Sequence, residues 1–333
     1  MPSPDIIAVM GVCAPERHAY ARRLATTAAR RLVIGPAGLD GSRVDRSEQL
    51  VLEAGTAESP LRIAALLESG GGGDVVCVVD AVHALDDLMR DDPADPLALA
   101  RGPLAHPGSR GLQAALALEY ATVVVLVNWE TVPTAHLAET MALVSHLAPC
   151  ARLRLSRDPA LDLLGARTTE PAPTHARPGW VRALNGEHDP TMTHRNVSTL
   201  RYEQVRPFHP ERLRDTLDDI DEGTYGRVVR SAGFARLATR LGIAQWDQVG
   251  SALWLNPIPA DEGDPLAIGQ DLALTGRGLD GDALRRALDA AALDDAEFAA
   301  GPAVWQGLAD PFPAWDTVDA AAPEDDLPGG GRR

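Results

Sequence analysis

Two short stretches, Asp74 to Val79 (DVVCVV) and Thr122 to Val127 (TVVVLV), constrain the fold of this chain more than anything else in it. Each is a continuous run of mostly β-branched residues, with no polar position left to face water. Such runs suit strands buried on both faces, as in a parallel sheet covered by helices. The surroundings support the same reading. Asp5 to Gly11 (DIIAVMG) reads as a first strand, followed by a helix over Pro15 to Leu32. Leu32 to Ile34 and Gln49 to Glu53 read as further strands, with Gly35 to Ser47 as loop. Helical patterns over Pro60 to Glu68, Leu85 to Arg90, Gly111 to Tyr120 and Thr134 to Leu147 alternate with these strands, and Arg152 to Leu155 closes the series. Strands alternating with helices predict an α/β fold with a parallel sheet covered on both sides, here over residues 1–167.

From 168 to 196 the chain is rich in Pro, Gly, Thr and His without a sustained period, and it reads as a linker or long surface segment. Residues 197–316 follow a different pattern. Strands are expected at Thr199 to Val205, Val228 to Arg230, Phe234 to Ala238, Ser251 to Leu255 and Leu266 to Leu274. Helices are expected at Pro210 to Asp219 and Asp282 to Leu293, the second with Leu284, Ala287, Leu288 and Ala291 on one face. That mixture predicts a small α+β domain. Residues 317–333, with EDDLPGGGRR at the end, are expected to be a disordered tail.

The turn after the first strand is where a P-loop protein carries G-x-x-x-x-G-K-[ST], whose backbone N–H groups cradle phosphates. Counted from Gly11, this chain has Glu16 at the second Gly, Arg17 at the Lys and His18 at the Ser/Thr. Pro15 removes one N–H from the cradle, and Glu16 sets a carboxylate beside an anionic ligand. All 31 basic residues are arginine, so no lysine is available anywhere in the chain. Arg17 keeps the lysine's charge and adds donors, but it equally fits a solvated helix-start position.

A net charge of −16 argues against a nucleic-acid backbone as the main partner. No apolar run approaches the roughly 20 residues of a membrane span, and no secretory signal opens the chain, so a cytoplasmic location is expected. Cys13, Cys77 and Cys150 form no C-x-x-C pair, which leaves a disulfide framework or zinc knuckle without support. His175, His188 and His194, with Glu187 and Asp189, could hold a metal loosely or simply be dispersed surface groups. His209, before Pro210, suits a capping or packing role better than a ligand's.

The stretch Arg206 to Gly250 (RPFHPERL, VVRSAGFARLATR, WDQVG) resembles the C-terminal domain of CobW-like proteins, and Ile268 to Leu293 resembles that domain's closing strand and helix. In the first half, Glu53 to Glu58 (EAGTAE) and Val75 to Ala81 (VVCVVDA) are similar to two further segments of the family. The resemblance implies a P-loop-NTPase-type α/β domain followed by a small α+β CobW C-terminal domain, and a GTPase of the SIMIBI type tied to zinc or cobalt handling. No cofactor is assigned outright, GTP and magnesium being expected only if the residual cleft still binds them. It implies nucleotide contacts at Gly11, Arg17, Glu53, Asp80 and Asn128. The guanine-reading N-K-x-D appears here as Asn128-Trp129-Glu130-Thr131, so the aspartate is replaced. The family's C-x-C-C metal motif is absent from Val33 to Gln49, and no metal ligand is assigned.

A P-loop-less branch of the family, which includes a mycobacterial factor recruiting a ribosome hibernation factor, is similar in that loss and in the closing segment around Trp305, Phe312 and Trp315. That likeness implies a protein partner, ribosome-associated or metal-dependent, with those three aromatics as anchors or as groups packed back on the second domain. Trp129 is read as filling the space of a guanine, and Asp80 as lining the old cleft or capping the segment from Val82. The expected function is a CobW-like role in zinc homeostasis or ribosome hibernation through protein contacts, with hydrolysis lost or very weak. The alternative is an active GTP-binding metal chaperone with an unconventional cradle of Arg17, Glu53 and Asn128.

Overall fold

The structure, a computed structural model, describes residues 6–35, 49–70, 72–94, 108–163, 172–258 and 269–315. Six parallel strands form the first sheet. In chain order the elements are β1 (Ile6–Met10), α1 (Ala14–Thr27), β2 (Arg31–Ile34), β3 (Leu50–Glu53), α2 (Pro60–Ser69), β4 (Asp74–Asp80), α3 (Ala84–Leu88), α4 (Arg110–Glu119), β5 (Val123–Val127), α5 (Thr134–Leu147), β6 (Arg152–Leu155) and α6 (Pro159–Asp162). The strand order is β2-β3-β1-β4-β5-β6, so the valine-rich β4 and β5 are central. Their alternate residues serve different cores. Val76, Val78, Val123 and Val125 meet Tyr20, Ala21 and Leu24 of α1 on one face. Val75, Cys77, Val124 and Leu126 meet α2, α4 and α5 on the other. That double burial is why neither strand has a polar stripe.

α1 is shorter than the expected Pro15 to Leu32. It ends at Thr27, Ala29 takes a left-handed φ of 51°, and Arg31 is already paired with Leu50 in the sheet. The expected loop at Gly35 to Ser47 and the tail at 317–333 lie outside the described residues, Gly35 excepted. Within 168–196, the described part is packed. A 3-10 turn at Thr174–Ala176 leads into α7 (Gly179–Leu184), and Thr174, Arg177 and Ala183 are buried. A Cβ on Gly179 would lie 2.1 Å from the His146 carbonyl oxygen, so glycine allows α7 to sit directly on the end of α5.

The second sheet is antiparallel, with order β10-β9-β8-β11-β7. Its elements are β7 (Val197–Gln204), α8 (Pro210–Asp221), β8 (Arg227–Ala235), β9 (Ala244–Val249), β10 (Ala252–Pro257), β11 (Gln270–Arg277), α9 (Gly281–Ala291), α10 (Asp295–Ala300) and α11 (Pro302–Trp305). α8 and α9 cover one face through Leu213, Leu217, Ile220, Leu284 and Leu288, which pack on Tyr202, Trp246, Leu272 and Leu274. Ala287 is only half-buried beside this stripe. The chain around Gly233 is one strand, where two pieces were expected from the sequence. A Cβ at Gly233 would stand 2.1 Å from the Asp271 carbonyl oxygen, so glycine lets β8 run unbroken against β11. The opposite face of this sheet lies on the first unit, and Val229 and Val249 join its core.

Candidate functional site

The candidate site is the carboxyl end of the first sheet, where open α/β sheets place their ligand crevice. Only Gly11, Val12 and Cys13 separate β1 from α1. Glu16, Arg17 and His18 are therefore already helical, and the Arg17 amide donates to the Cys13 carbonyl at 2.9 Å as an ordinary helix bond. Gly11 has φ 135°, and a Cβ there would lie 2.2 Å from the Val78 carbonyl oxygen. Glycine is thus demanded here by the close passage of β4.

Two arginines hold this turn by its carbonyls. Arg17 Nη1 donates to the Gly11 oxygen at 2.6 Å and to Thr56 Oγ1 at 3.2 Å, while its Nε reaches Glu53 Oε1 at 3.2 Å. From the other side, Arg110 Nη2 donates to the Val12 oxygen at 2.7 Å. A phosphate cradle presents N–H groups to an anion; this turn presents C=O groups to cations. Contrary to the solvated reading, Arg17 is buried: its side chain is 8% exposed and that of Glu53 4%. The other Glu53 oxygen meets His18 Nδ1 at 2.7 Å. Both Glu53 oxygens are thus already engaged by the protein's own side chains, Arg17 and His18.

Asp80 and Asn128 form a second closed cluster. Asp80 Oδ1 accepts from the Val82 amide at 3.2 Å and from Asn128 Nδ2 at 3.1 Å, and Oδ2 meets His83 Nδ1 at 2.6 Å. Asp80 thus caps the segment from Val82 through that amide. Bonding to Asp80 raises the pKa of exposed His83. Burial pushes the Cys13 thiol up to about 11, so it is no thiolate nucleophile at neutral pH.

Trp129 is half-buried just after β5. Its ring packs on the α4–α5 side, Nε1 donates to the Ser156 carbonyl at 3.1 Å, and the Arg157 guanidinium stacks 4.9 Å above it. Next to Asn128, a cleft of about 740 Å³ stays open between α1 and the β6 end, lined by Glu16, Arg23, Glu130, Ser156 and Arg157 among others.

The aromatic anchors turn inward. Trp305 is buried with Ala238 and Leu293, and its Nε1 donates to the Glu297 carbonyl at 2.6 Å. Phe312 packs on the second core, and Trp315 lies under Arg240, 4.9 Å from the guanidinium carbon. Asp310 fixes this end by accepting from Arg240 Nε at 2.8 Å and Thr239 Oγ1 at 2.6 Å. Among the described residues no group of three or more His, Cys, Asp or Glu could hold a metal. His188 Nε2 lies 3.0 Å from the His146 carbonyl, and His194 Nδ1 accepts from the Asn196 amide at 3.3 Å. His209 stands at the α8 N-cap with its amide on the Ala291 carbonyl at 2.8 Å, and its side chain makes no capping bond. Among the described residues no helix is long and apolar enough to cross a membrane.

Sequence reasoning missed a buried ion group between the two sheets. Arg230 of β8 donates through Nε to Glu119 Oε1 of α4 at 2.8 Å and through Nη2 to Asp247 Oδ1 at 2.8 Å. The Arg230 and Glu119 side chains are 2% and 1% exposed. Burial raises the Glu119 pKa, and the two carboxylates raise that of Arg230; the guanidinium stays charged and holds both acids in place. The signal was available in Arg-Ser-x-Gly, whose Ser231 accepts from Trp246 Nε1 at 2.7 Å and donates to Gln248 at 2.6 Å. A second tie joins Arg277 of β11 to Glu139 of α5 at 2.8 and 2.6 Å, with Asn196 on the same carboxylate.

Residues 197–292 match the model of the cobalamin synthesis protein CobW C-terminal domain. The zinc-regulated GTPase metalloprotein activator 1 of Dictyostelium discoideum is 23% identical over 222 residues, 59% of this chain and 46% of that protein. The chain therefore spans about half the length of that curated relative. A Zn(II)-bound YjiA GTPase crystal structure from E. coli is 11% identical and covers 88% of this chain and 100% of its own, at a TM-score of 0.34. Behind a six-stranded parallel sheet, the second unit thus matches a CobW C-terminal domain, in a chain similar to a zinc-regulated GTPase activator.

Proposed function

We propose that this CobW-like chain serves metal homeostasis, with zinc as the metal concerned, by contacting other proteins, and that triphosphate binding and hydrolysis are lost or very weak. The relationship to a zinc-regulated GTPase activator supports the metal setting. One observation carries the loss of nucleotide chemistry: Arg17 is already the ligand of its own loop, bonded to Gly11, Glu53 and Thr56. To seat a triphosphate, the turn would have to reverse its carbonyls, free Glu53 from Arg17 and His18, and accept Glu16 beside the anion. Each step costs a buried hydrogen bond, about 1–3 kcal/mol. The partner in this reading is a protein, ribosome-associated or metal-dependent.

Calorimetry with GTP and magnesium tests this. The expected result is no binding tighter than about 1 mM, near −4 kcal/mol. A second reading rests on the open cleft beside Asn128, Glu130 and Ser156. In that reading the chain is an active GTP-binding metal chaperone with Arg17 as its phosphate contact. Micromolar GTP binding that disappears in Arg17→Ala would establish it and overturn the first. Pull-downs from zinc-starved and zinc-replete cells test the partner; identical empty results in both would count against one.

A further inference from the structure

Beside the Glu139–Arg277 tie lies a cleft of about 880 Å³, away from the β1–α1 turn. It opens outside the carboxyl ends of β4 and β5. Its floor is apolar: Ala81, Leu85, Val132 and Leu143. Thr140 and Glu139 of α5 form one wall, and Arg277 of the second sheet closes one end. Junctions between packed units at the ends of parallel strands are favoured ligand positions.

Three observations set the chemistry of the occupant. The Glu139–Arg277 pair is bidentate and internally neutral, so it contributes shape and no net charge. Asp86 lies on the rim, exposed, and its carboxylate forms no hydrogen bond or salt bridge among the described residues. Val82, on the same rim, is 50% exposed and adds an apolar side chain to the cleft's edge.

We infer that the cleft formed by α3, α5 and Arg277 receives a protein partner's apolar side chain that is followed directly by a basic residue, the apolar group on Leu85 and Val132 and the cation on Asp86. A chain of net charge −16 already draws basic partners electrostatically. This inference rests on the protein-contact reading above but not on the fate of GTP. Binding at the cleft and binding of nucleotide are measured separately, so either reading can fail alone.

The test uses the full chain and three seven-residue alanine-based peptides carrying, at their centre, Leu-Arg, Leu-Glu or Gly-Arg. Amide shifts in the NMR spectrum are followed during titration. The Leu-Arg peptide is expected to bind about five-fold more tightly than either control, the scale of one partly exposed ion pair or one half-buried apolar group. Shifts should map to Val82, Asp86 and Thr140. Asp86→Arg, a surface change that leaves the fold in place, should invert the preference to Leu-Glu. Thr140→Trp, filling the cleft, should remove binding by all three. Equal affinity for the Leu-Arg and Leu-Glu peptides, shifts confined to another surface, or an unchanged preference in Asp86→Arg would each overturn the inference.

Discussion

Arg17 with Glu53 and Arg230 with Glu119 are both buried arginine–glutamate pairs, yet they lie in different settings. Arg230 is enclosed on every side between α4, β8 and β9, and it satisfies two carboxylates and a backbone carbonyl. Arg17 lies at the mouth of a crevice, with His18 beside it 42% exposed. The first pair fills a seam that never faced solvent in this fold. The second occupies the turn where a P-loop would place phosphate. One arginine therefore joins two sheets, and the other closes a site. Breaking each should cost differently.

The largest effect is expected at the seam. Arg230→Ala leaves Glu119 buried, and Asp247 half-buried, without their cation and should destabilise the chain by about 3–5 kcal/mol. A fall in urea midpoint with loss of α4–β8 amide protection would be the measurement. Arg230→Met with Glu119→Gln should recover most of it, because replacing both partners removes the stranded charge. If the single variant is as stable as wild type, the seam is not held as described.

Acid tests the same seam from α5. His146 is buried, its Nδ1 lies 2.9 Å from Thr199 Oγ1, and Thr199 in turn meets Thr275 at 2.8 Å. Burial, then the nearby His188, lowers its pKa from 6.5 to about 4. Above pH 6.5 the imidazole is neutral folded or unfolded, and stability is fully present. Between about 6.5 and 4 the unfolded chain binds a proton that the folded chain refuses, so stability falls with pH. The loss approaches roughly 3 kcal/mol at the lower end, since each unit is worth about 1.4 kcal/mol. Urea midpoints from pH 7 to 4.5 should decline in wild type and decline less in His146→Gln.

At the crevice, Arg17→Ala should cost about 1–3 kcal/mol, less than at the seam, because water can reach Glu53 once the side chain is gone. Arg17→Lys should not restore it. An ammonium is a point charge, and the present geometry uses two nitrogens of a rigid fork against Gly11, Glu53 and Thr56. Thermal midpoints of the three proteins measure this. An Arg17→Ala loss equal to that of Arg230→Ala would erase the distinction drawn between the two pairs.

How much of this was legible in the sequence follows from what each feature depends on. β4 and β5 announced themselves because double burial forces every position to be apolar, a local property. The degenerate turn was also readable, since Pro15, Glu16 and Arg17 are each chemically wrong for phosphate. What replaced the phosphate was not readable, because Arg17 and Glu53 are 36 positions apart and meet only through β1–β3 pairing. Arg230 and Glu119 are 111 positions apart, and neither flank suggests the other. The Trp305–Trp315 segment left two readings open for a related reason. Aromatics in a Pro- and Asp-rich ending fit a docking motif and a self-packing strap equally well until Asp310 is seen to bind Arg240.

That strap supplies the smallest effect. Trp315 contributes a cation–π contact with Arg240, and its Nε1 is buried without a hydrogen-bond partner. The stacking is worth about 0.5–1 kcal/mol, and the unsatisfied indole nitrogen offsets part of it. Trp315→Phe keeps the ring face and drops the stranded N–H, so its stability should lie within about 0.5 kcal/mol of wild type. Trp315→Ala should lose up to about 1 kcal/mol while leaving the seam intact. Equilibrium unfolding of both variants, with hydrogen exchange at Arg240 and Phe312, measures the difference. Destabilisation by Trp315→Phe greater than that by Trp315→Ala would mean that the indole nitrogen finds a partner in solution and that the end of the chain is arranged differently there.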